Sequence, residues 1–419
     1  MHARLHLHLI RINDLKKLNR VTSMDSLGNT EKVLTIFALG GRIGTAGMDG
    51  STRIFIECAT RWAQHGHHIC LLGSEHDYEI CHKYGLNAID FIVVPYPKIF
   101  RSSVLFSYLF LTIKLSIAAL RLRLKGKSIV IYSGSDFWPT SIPGFILKIM
   151  SGESAKWVVC FFLLARKPFS KEFPYKGKGV FVGLLYYLSQ LPVYSLAKKF
   201  SDMVWVTDEL DRLKFIDGKR LTSEKVVTIR WGVDTKTPLL VPECKKIFDA
   251  VFVGRLHPQK GVLQLIDLWK HVCEKKKDAK LIIIGDGQLK SEVSEKIERC
   301  GLRNNVMMLG FKDGLEKIRL LKETKIFVHP AIYDTGAIAP AESMACGLPG
   351  VCFDLPALRT YYPKGMIKVQ PYDFTKFAQS IIELLTNRQL YNELKEEALQ
   401  LSKEFDWDKK AQELLELFN

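Results

Sequence analysis

Twice along this chain, short apolar runs alternate with segments whose apolar residues recur at helical spacing. That alternation limits the fold more than any other feature. Strand–helix–strand repeats bury their apolar strands only in a parallel sheet wrapped by helices. The first series opens with Lys32–Leu39 (KVLTIFAL), a β-rich run ending in glycines. Helical spacing follows over Thr52–Gln64 and stops at Gly66, and His68–Gly73 is the next strand. Further strands are predicted at Asp90–Pro95, Ser128–Ser133, Trp157–Phe162, Met203–Thr207 and Val226–Arg230.

Thr235–Cys244 holds two prolines and no periodicity, and it reads as a linker. The second series then begins. Strands are predicted at Ile247–Val253, Ala279–Ile284, Val306–Leu309, Ile326–His329 and Gly350–Phe353. Helices are predicted at Gly261–Lys275, Leu289–Cys300, Leu315–Glu323 and Ala337–Ala345. Tyr391–Phe418 is helical and charged, broken around Phe405–Trp407. The expected organisation is an N-terminal extension over 1–30, poorly ordered, and a Rossmann-like domain over 31–234. A linker over 235–246 leads to a second Rossmann-like domain over 247–390, and helices over 391–419 pack back towards the first. Two such α/β halves place a cleft between domains, where ligands collect.

Nine cysteines are scattered without a CxxC pair, which argues against a disulfide framework and a zinc ribbon and for a reducing, cytoplasmic setting. All nine read as small buried thiols. The first residues alternate apolar and basic with no continuous apolar core, so they are not a signal peptide. His2, His6 and His8 could bind a metal there. The plainer expectation is an unstructured leader, or translation starting at Met24. The formal net charge is +16, and Phe91–Ser201 alone holds sixteen Lys and Arg against three acids. So local a field attracts phosphate groups, anionic lipid or nucleic acid. No RNA- or DNA-binding motif accompanies it, and nucleic acid is not the expected partner.

Three ordered segments carry chemistry. Val251–Gly261 (VFVGRLHPQKG) ends a strand at Gly254 and offers Arg255 and Lys260 before a helix. Two cations beside a helix N-terminus can clamp a diphosphate, although surface cations in a loop are also commonplace. Gly285, Asp286 and Gly287 follow the next strand as a tight loop. Asp334-Thr335-Gly336-Ala337 then leads into a helix carrying Glu342, eight positions after Asp334. Taken alone, Asp334 reads equally as an N-cap and Glu342 as part of a solvated face.

Together, VGRLHPQKG, IIIGDGQL and the acid pair running into ESMACGLPGV resemble the retaining GT-B glycosyltransferases of the family 4 type. The resemblance runs from about Glu31 to the C-terminus and is strongest from Ala250 to Glu383. It implies an α/β GT-B fold, with two Rossmann-like domains whose parallel sheets face each other across a cleft. It implies transfer of a sugar from a nucleoside-diphosphate donor to a glycan or lipid-linked acceptor, with no metal or other cofactor. Arg255 and Lys260 would hold and neutralise the diphosphate, Glu342 would bind the ribose, and Gly285–Gly287 would close near the base. Gly254, Thr335, Gly336 and Ala337 would line the donor. Asp334 stands where the family carries a glutamate that contacts the donor sugar, and its following glycine comes one position early. The family's histidine near the reacting sugar has no counterpart among Phe161, Phe162 and Leu163; Ser135 and Asp136 could supply a polar partner. The glycine-rich loop with Gly47, Asp49 and Gly50 would border the acceptor, or be a plain flexible loop.

The apolar stretch Val104–Leu120 and the basic, aromatic segment Lys176–Lys199 suit either core helices with solvated basic ends or peripheral docking on an anionic leaflet through region 98–199. Other readings of the whole chain are a nucleotide-sugar epimerase or an inverting transferase. A non-catalytic nucleotide-sugar-binding protein of this fold is a third.

Overall fold

The computed structural model describes residues 9–11 (backbone), 34–41, 50–97, 103–124, 128–170, 173 and 179–418. Its contacts divide the chain into two units, one of residues 1–229 with 411–419 and one of 230–410. The expected linker therefore lies inside the second unit, where Thr237–Leu240 forms a short helix. Asp234 begins that turn by accepting hydrogen bonds from the Lys236 and Thr237 amides at 3.0 and 2.9 Å.

The first unit is built on eight parallel strands. They are β1 (Leu9–Arg11), β2 (Thr35–Leu39), β3 (His68–Ser74), β4 (Asp90–Val94), β5 (Ile129–Ser133), β6 (Ala155–Phe161), β7 (Met203–Val206) and β8 (Val226–Thr228). Their spatial order is β1-β4-β3-β2-β5-β6-β7-β8. β1 falls within the N-terminal extension, and the rest of that extension, with its histidines and Met24, lies outside the described residues. β2, β3, β5 and β6 carry near-continuous buried apolar residues, as a sheet covered on both faces requires. One face packs on Leu111, Leu115, Leu147, Val193 and Ala197 from helices Val104–Arg121, Trp138–Ser151 and Gly179–Phe200.

The second unit holds β9 (Phe248–Val253), β10 (Leu281–Ile284), β11 (Val306–Gly310), β12 (Thr324–His329), β13 (Gly350–Phe353) and β14 (Met366–Val369). All pair in parallel, in the order β11-β10-β9-β12-β13-β14. This is the 3-2-1-4-5-6 winding of a dinucleotide-type fold, and β2 to β7 repeat it in the first unit. Strand order reverses between β9 and β12 in one unit and between β2 and β5 in the other. Loops leaving the C-terminal ends of such neighbours diverge, so a crevice opens there.

All nine cysteines are free thiols. Six are buried, whereas Cys244, Cys273 and Cys300 are only half-buried, against the expectation that all nine sit in the core.

Candidate donor site

β9 delivers Arg255 and Lys260 to the crevice of the second unit. The turn between them is fixed by local chemistry. His257 Nδ1 accepts from the Gln259 amide at 3.3 Å, and Gly261 ends the turn in the left-handed region with φ +65°. Helix Val262–Lys275 starts directly afterwards, with no side-chain cap on its first amides. Arg255 is exposed and makes no ion pair with the described residues. Burial, with Arg255 and Lys260 beside it, brings His257 down to about 4, so it is neutral near pH 7.

The loop after β10 lies alongside. The Leu256 amide donates to Asp286 O at 3.0 Å, and the Leu289 amide to Leu256 O at 3.1 Å. A side chain at Gly285 would place Cβ 1.9 Å from Gly254 O, so only glycine lets the two loops meet. Asp286 is exposed; Lys290, at 3.0 Å, and the Gly287 amide hold its carboxyl below the ordinary value.

β12 brings the third part. It ends at His329, and the Ile332 amide donates to Gln259 O at 3.0 Å, tying this loop to the Lys260 turn. Asp334 then meets Lys260 at 2.5 Å and His329 Nε2 at 3.0 Å, both on Oδ2. Its Oδ1 accepts from the amides of Thr335 and Gly336 at 2.9 and 3.3 Å. Burial alone would raise this carboxyl, but Lys260 and His329 outweigh it and hold it well below the usual carboxylate range. Burial chiefly lowers His329, against the pull of Asp334. Asp334 is thus a buried, fully engaged anion that holds Lys260 in place.

Gly336 and Ala337 lead into helix Ile338–Ala345. Trp231 Nε1 donates to Gly336 O, and Tyr362 OH to Ala337 O, so two aromatic side chains fix this entry. Glu342 is the fifth residue of the helix. Its Oε1 accepts from Lys317 at 2.8 Å, and Lys317 also reaches Asp313 at 3.2 Å. Burial would lower Lys317, yet the two carboxylates raise it overall, so it is a fixed cation.

Sequence reasoning missed His329, Lys317, Trp231 and Tyr362. His329 had a signal, a polar residue ending an apolar strand just before Pro330. Lys317 had none, because a lysine on an amphipathic helix looks like any solvated residue.

The first unit holds the remaining residues. Asp136 follows β5 and is buried, accepting from Gln190 Nε2 at 2.7 Å and Tyr186 OH at 3.5 Å. Burial raises its carboxyl to about 6, partly offset by those two hydrogen bonds. Ser135 Oγ shares a hydrogen bond with Thr140 Oγ1 at 2.9 Å. Gly50 is the exposed first residue of helix Gly50–Gln64, and Gly47 and Asp49 lie outside the described residues.

Residues 241–401, which span β9 to β14 and every donor-side residue above except Trp231, match the model of the family described as glycosyl transferases group 1. This segment belongs to that family. Relatives of this glycosyltransferase domain include an uncharacterized glycosyltransferase of Methanocaldococcus jannaschii, 32% identical over 38% of this chain and 42% of the relative. A phosphatidyl-myo-inositol mannosyltransferase of Mycobacterium leprae is 27% identical over 40% of this chain and 45% of its own length. The matched regions thus span less than half of these relatives. Among solved structures, a Staphylococcus aureus TarM mutant in complex with fondaparinux, α-GlcNAc-glycerol and UDP superposes with a TM-score of 0.70 at 13% identity. That match covers 93% of this chain and all of the other. Anabaena HepE in complex with UDP-glucose gives 0.65 at 16% identity, covering 91% of this chain and 98% of the other. The architecture is the GT-B fold, with two doubly wound parallel units.

Proposed function

We propose that the protein is a glycosyltransferase. It moves a hexosyl or related group from a nucleoside-diphosphate sugar to a hydroxyl of a glycan or lipid-linked acceptor, with retention at the anomeric carbon. One observation carries this reading: Arg255 and Lys260 stand at the start of helix Val262–Lys275, on the edge where strand order reverses, with Lys260 aimed by Asp334. Relatives named as mannosyl-, glucosyl- and galactosyltransferases support the class of reaction.

In this mechanism the acceptor oxygen bonds to the anomeric carbon on the face from which the diphosphate leaves. The sugar–phosphate bond breaks, its electron pair goes to the diphosphate, and a phosphate oxygen takes the acceptor's proton. Arg255, Lys260 and the free amides at the helix start would offset the growing negative charge without a metal. Glu342, with Oε2 open among the described residues, would accept hydrogen bonds from the ribose diol. The nine free cysteines support a reducing, cytoplasmic setting.

The first test is thermal stabilisation by UDP, GDP, ADP and their sugar conjugates. We expect a selective rise in Tm with one nucleotide, lost in Arg255→Ala and unchanged by EDTA. No rise with any nucleotide would remove the donor site and the enzyme reading with it.

A further inference from the structure

Helices Val104–Arg121, Trp138–Ser151 and Gly179–Phe200 cover one face of the first sheet, and none carries an acidic residue. A helix in this position ordinarily turns an apolar stripe to the sheet and a polar stripe to water. Helix Lys290–Arg299 of the second unit does so, burying Val293 and Ile297 under a charged exterior. Val104–Arg121 breaks the rule. Leu111, Leu115, Ala118 and Ala119 fill its sheet side, yet the opposite stripe is Leu105, Leu109, Ile113 and Ile117, all exposed. Phe106 beside it is 64% exposed. Gly179–Phe200 repeats the pattern with Phe181 at 65% exposure, then Leu185 and Leu188.

The two stripes are linked. Tyr108 OH accepts from the Trp138 amide at 2.9 Å, and Trp138 Nε1 donates to Ser189 O at 2.7 Å. The exposed ring of Phe137 packs edge-on against both Tyr108 and Tyr186. Basic groups border the stripes at the far ends of the helices. Arg123 caps the first through the carbonyls of Leu120 and Leu122, both at 3.0 Å, with Arg121 adjacent. Lys198 and Lys199 close the second.

Both helices are long and apolar enough to cross a bilayer. Crossing is incompatible with their fully buried sheet sides, which form part of the unit's core. We propose that this face docks in the plane of an anionic bilayer, with the two stripes in the acyl boundary and the basic rim among the headgroups. Charge complementarity names the occupant: Lys114, Arg121, Arg123, Lys198 and Lys199 lie on these two helices or at their ends, and neither helix carries an acid. In a parallel α/β unit the helices run opposite to the strands, so their N-terminal ends stand at the strands' C-terminal edge. Docking therefore sets the Asp136 edge of the first unit at the headgroup layer. Resting on the glycosyltransferase reading, this makes the acceptor a membrane lipid or lipid-linked glycan, taken from the bilayer rather than from bulk water.

The test is co-sedimentation of the full chain with vesicles of phosphatidylcholine alone and of phosphatidylcholine with phosphatidylglycerol in equal parts. Phe106→Ser/Phe181→Ser and Arg121→Gln/Lys199→Gln are the variants, and Tm with and without nucleotide is measured in parallel. Binding to the anionic vesicles alone is expected, weakened roughly tenfold or more in either double variant while Tm and the nucleotide response persist. Absence of vesicle binding by the wild type overturns the proposal, as does equal binding to both vesicles. So does a concentration-dependent dimer that dissociates in Phe106→Ser/Phe181→Ser without any lipid binding. If anionic vesicles bind but no nucleotide shifts Tm, docking stands and the donor reading falls.

Discussion

Asp334 engages four donors with two oxygens, and two of those donors belong to buried or nearly buried side chains. Removing it strands Lys260 and His329 together. Asp334→Ala is therefore expected to cost about 3 kcal/mol in urea unfolding of the second unit. Lys260→Met leaves the Asp334 carboxylate buried without its cation, so it should cost a comparable amount, and it should also abolish the nucleotide response. A nucleotide response that survives in Lys260→Met would show that the pair braces the loop and does not aim a ligand-binding cation. Asp136 offers a pH signature. Its native value of about 6 lies above the ordinary 3.8, so between those values the folded state holds more protons than the unfolded state. Stability then falls as pH rises through that window, by up to roughly 3 kcal/mol. Asp136→Asn should flatten the fall, as read from urea midpoints between pH 4 and pH 6.5. An equally steep fall in the variant would remove Asp136 as its source. Arg255, Lys260, Asp334 and Glu342 were each legible in the sequence as residue types in motifs. The Lys260–Asp334 pair was not, because its partners are 74 positions apart and no local spacing joins them.

Elements place these residues by a few close approaches of backbone. Gly261 has φ +65°, and a Cβ there would meet Pro330 O at 2.0 Å. Gly301 has nearly the same φ, +68°, with nothing within 4 Å. Gly301→Ala should thus show only the left-handed penalty, about 1 kcal/mol. Gly261→Ala adds a clash between the β9 and β12 loops and should cost at least about twice that. Equal shifts in Tm would mean that the loops separate freely. Most strands were legible to within a residue or two, because a buried parallel strand is a short apolar run bounded by turn residues. β1, inside the extension expected to be poorly ordered, was not, nor were β14 and helices Trp138–Ser151 and Phe374–Thr386. Trp138–Ser151 contains two prolines and a glycine, which locally argue against a helix; Gly144 is needed there because a Cβ would meet Ser133 Oγ at 2.3 Å.

Across the whole molecule, the chain leaves the first unit at residue 229 and returns to it at 411. The returning helix Trp407–Glu416 and its tail complete the first core. Trp62 Nε1 donates to Ala411 O at 2.8 Å, and Phe418 stacks on Trp205 at 5.2 Å and meets Trp62 edge-on at 5.4 Å. Deleting 411–419 should destabilise the first unit by several kcal/mol, since Leu414, Leu415 and Phe418 all lose burial. Calorimetry should then show one transition lowered and the nucleotide-responsive transition little changed; a uniform fall in both would contradict the assignment of the tail. The sequence by itself determined the α/β alternation, the second-half motifs and the helical tail, because strand and helix periods and turn chemistry are properties of neighbouring residues. Only the tertiary structure decided the order in which the strands wind, the anion that holds Lys260, the cation that holds Glu342, and the apolar stripes left outside the first core. Each depends on which distant surfaces meet, and a side chain's pattern records that it can be buried but not against what.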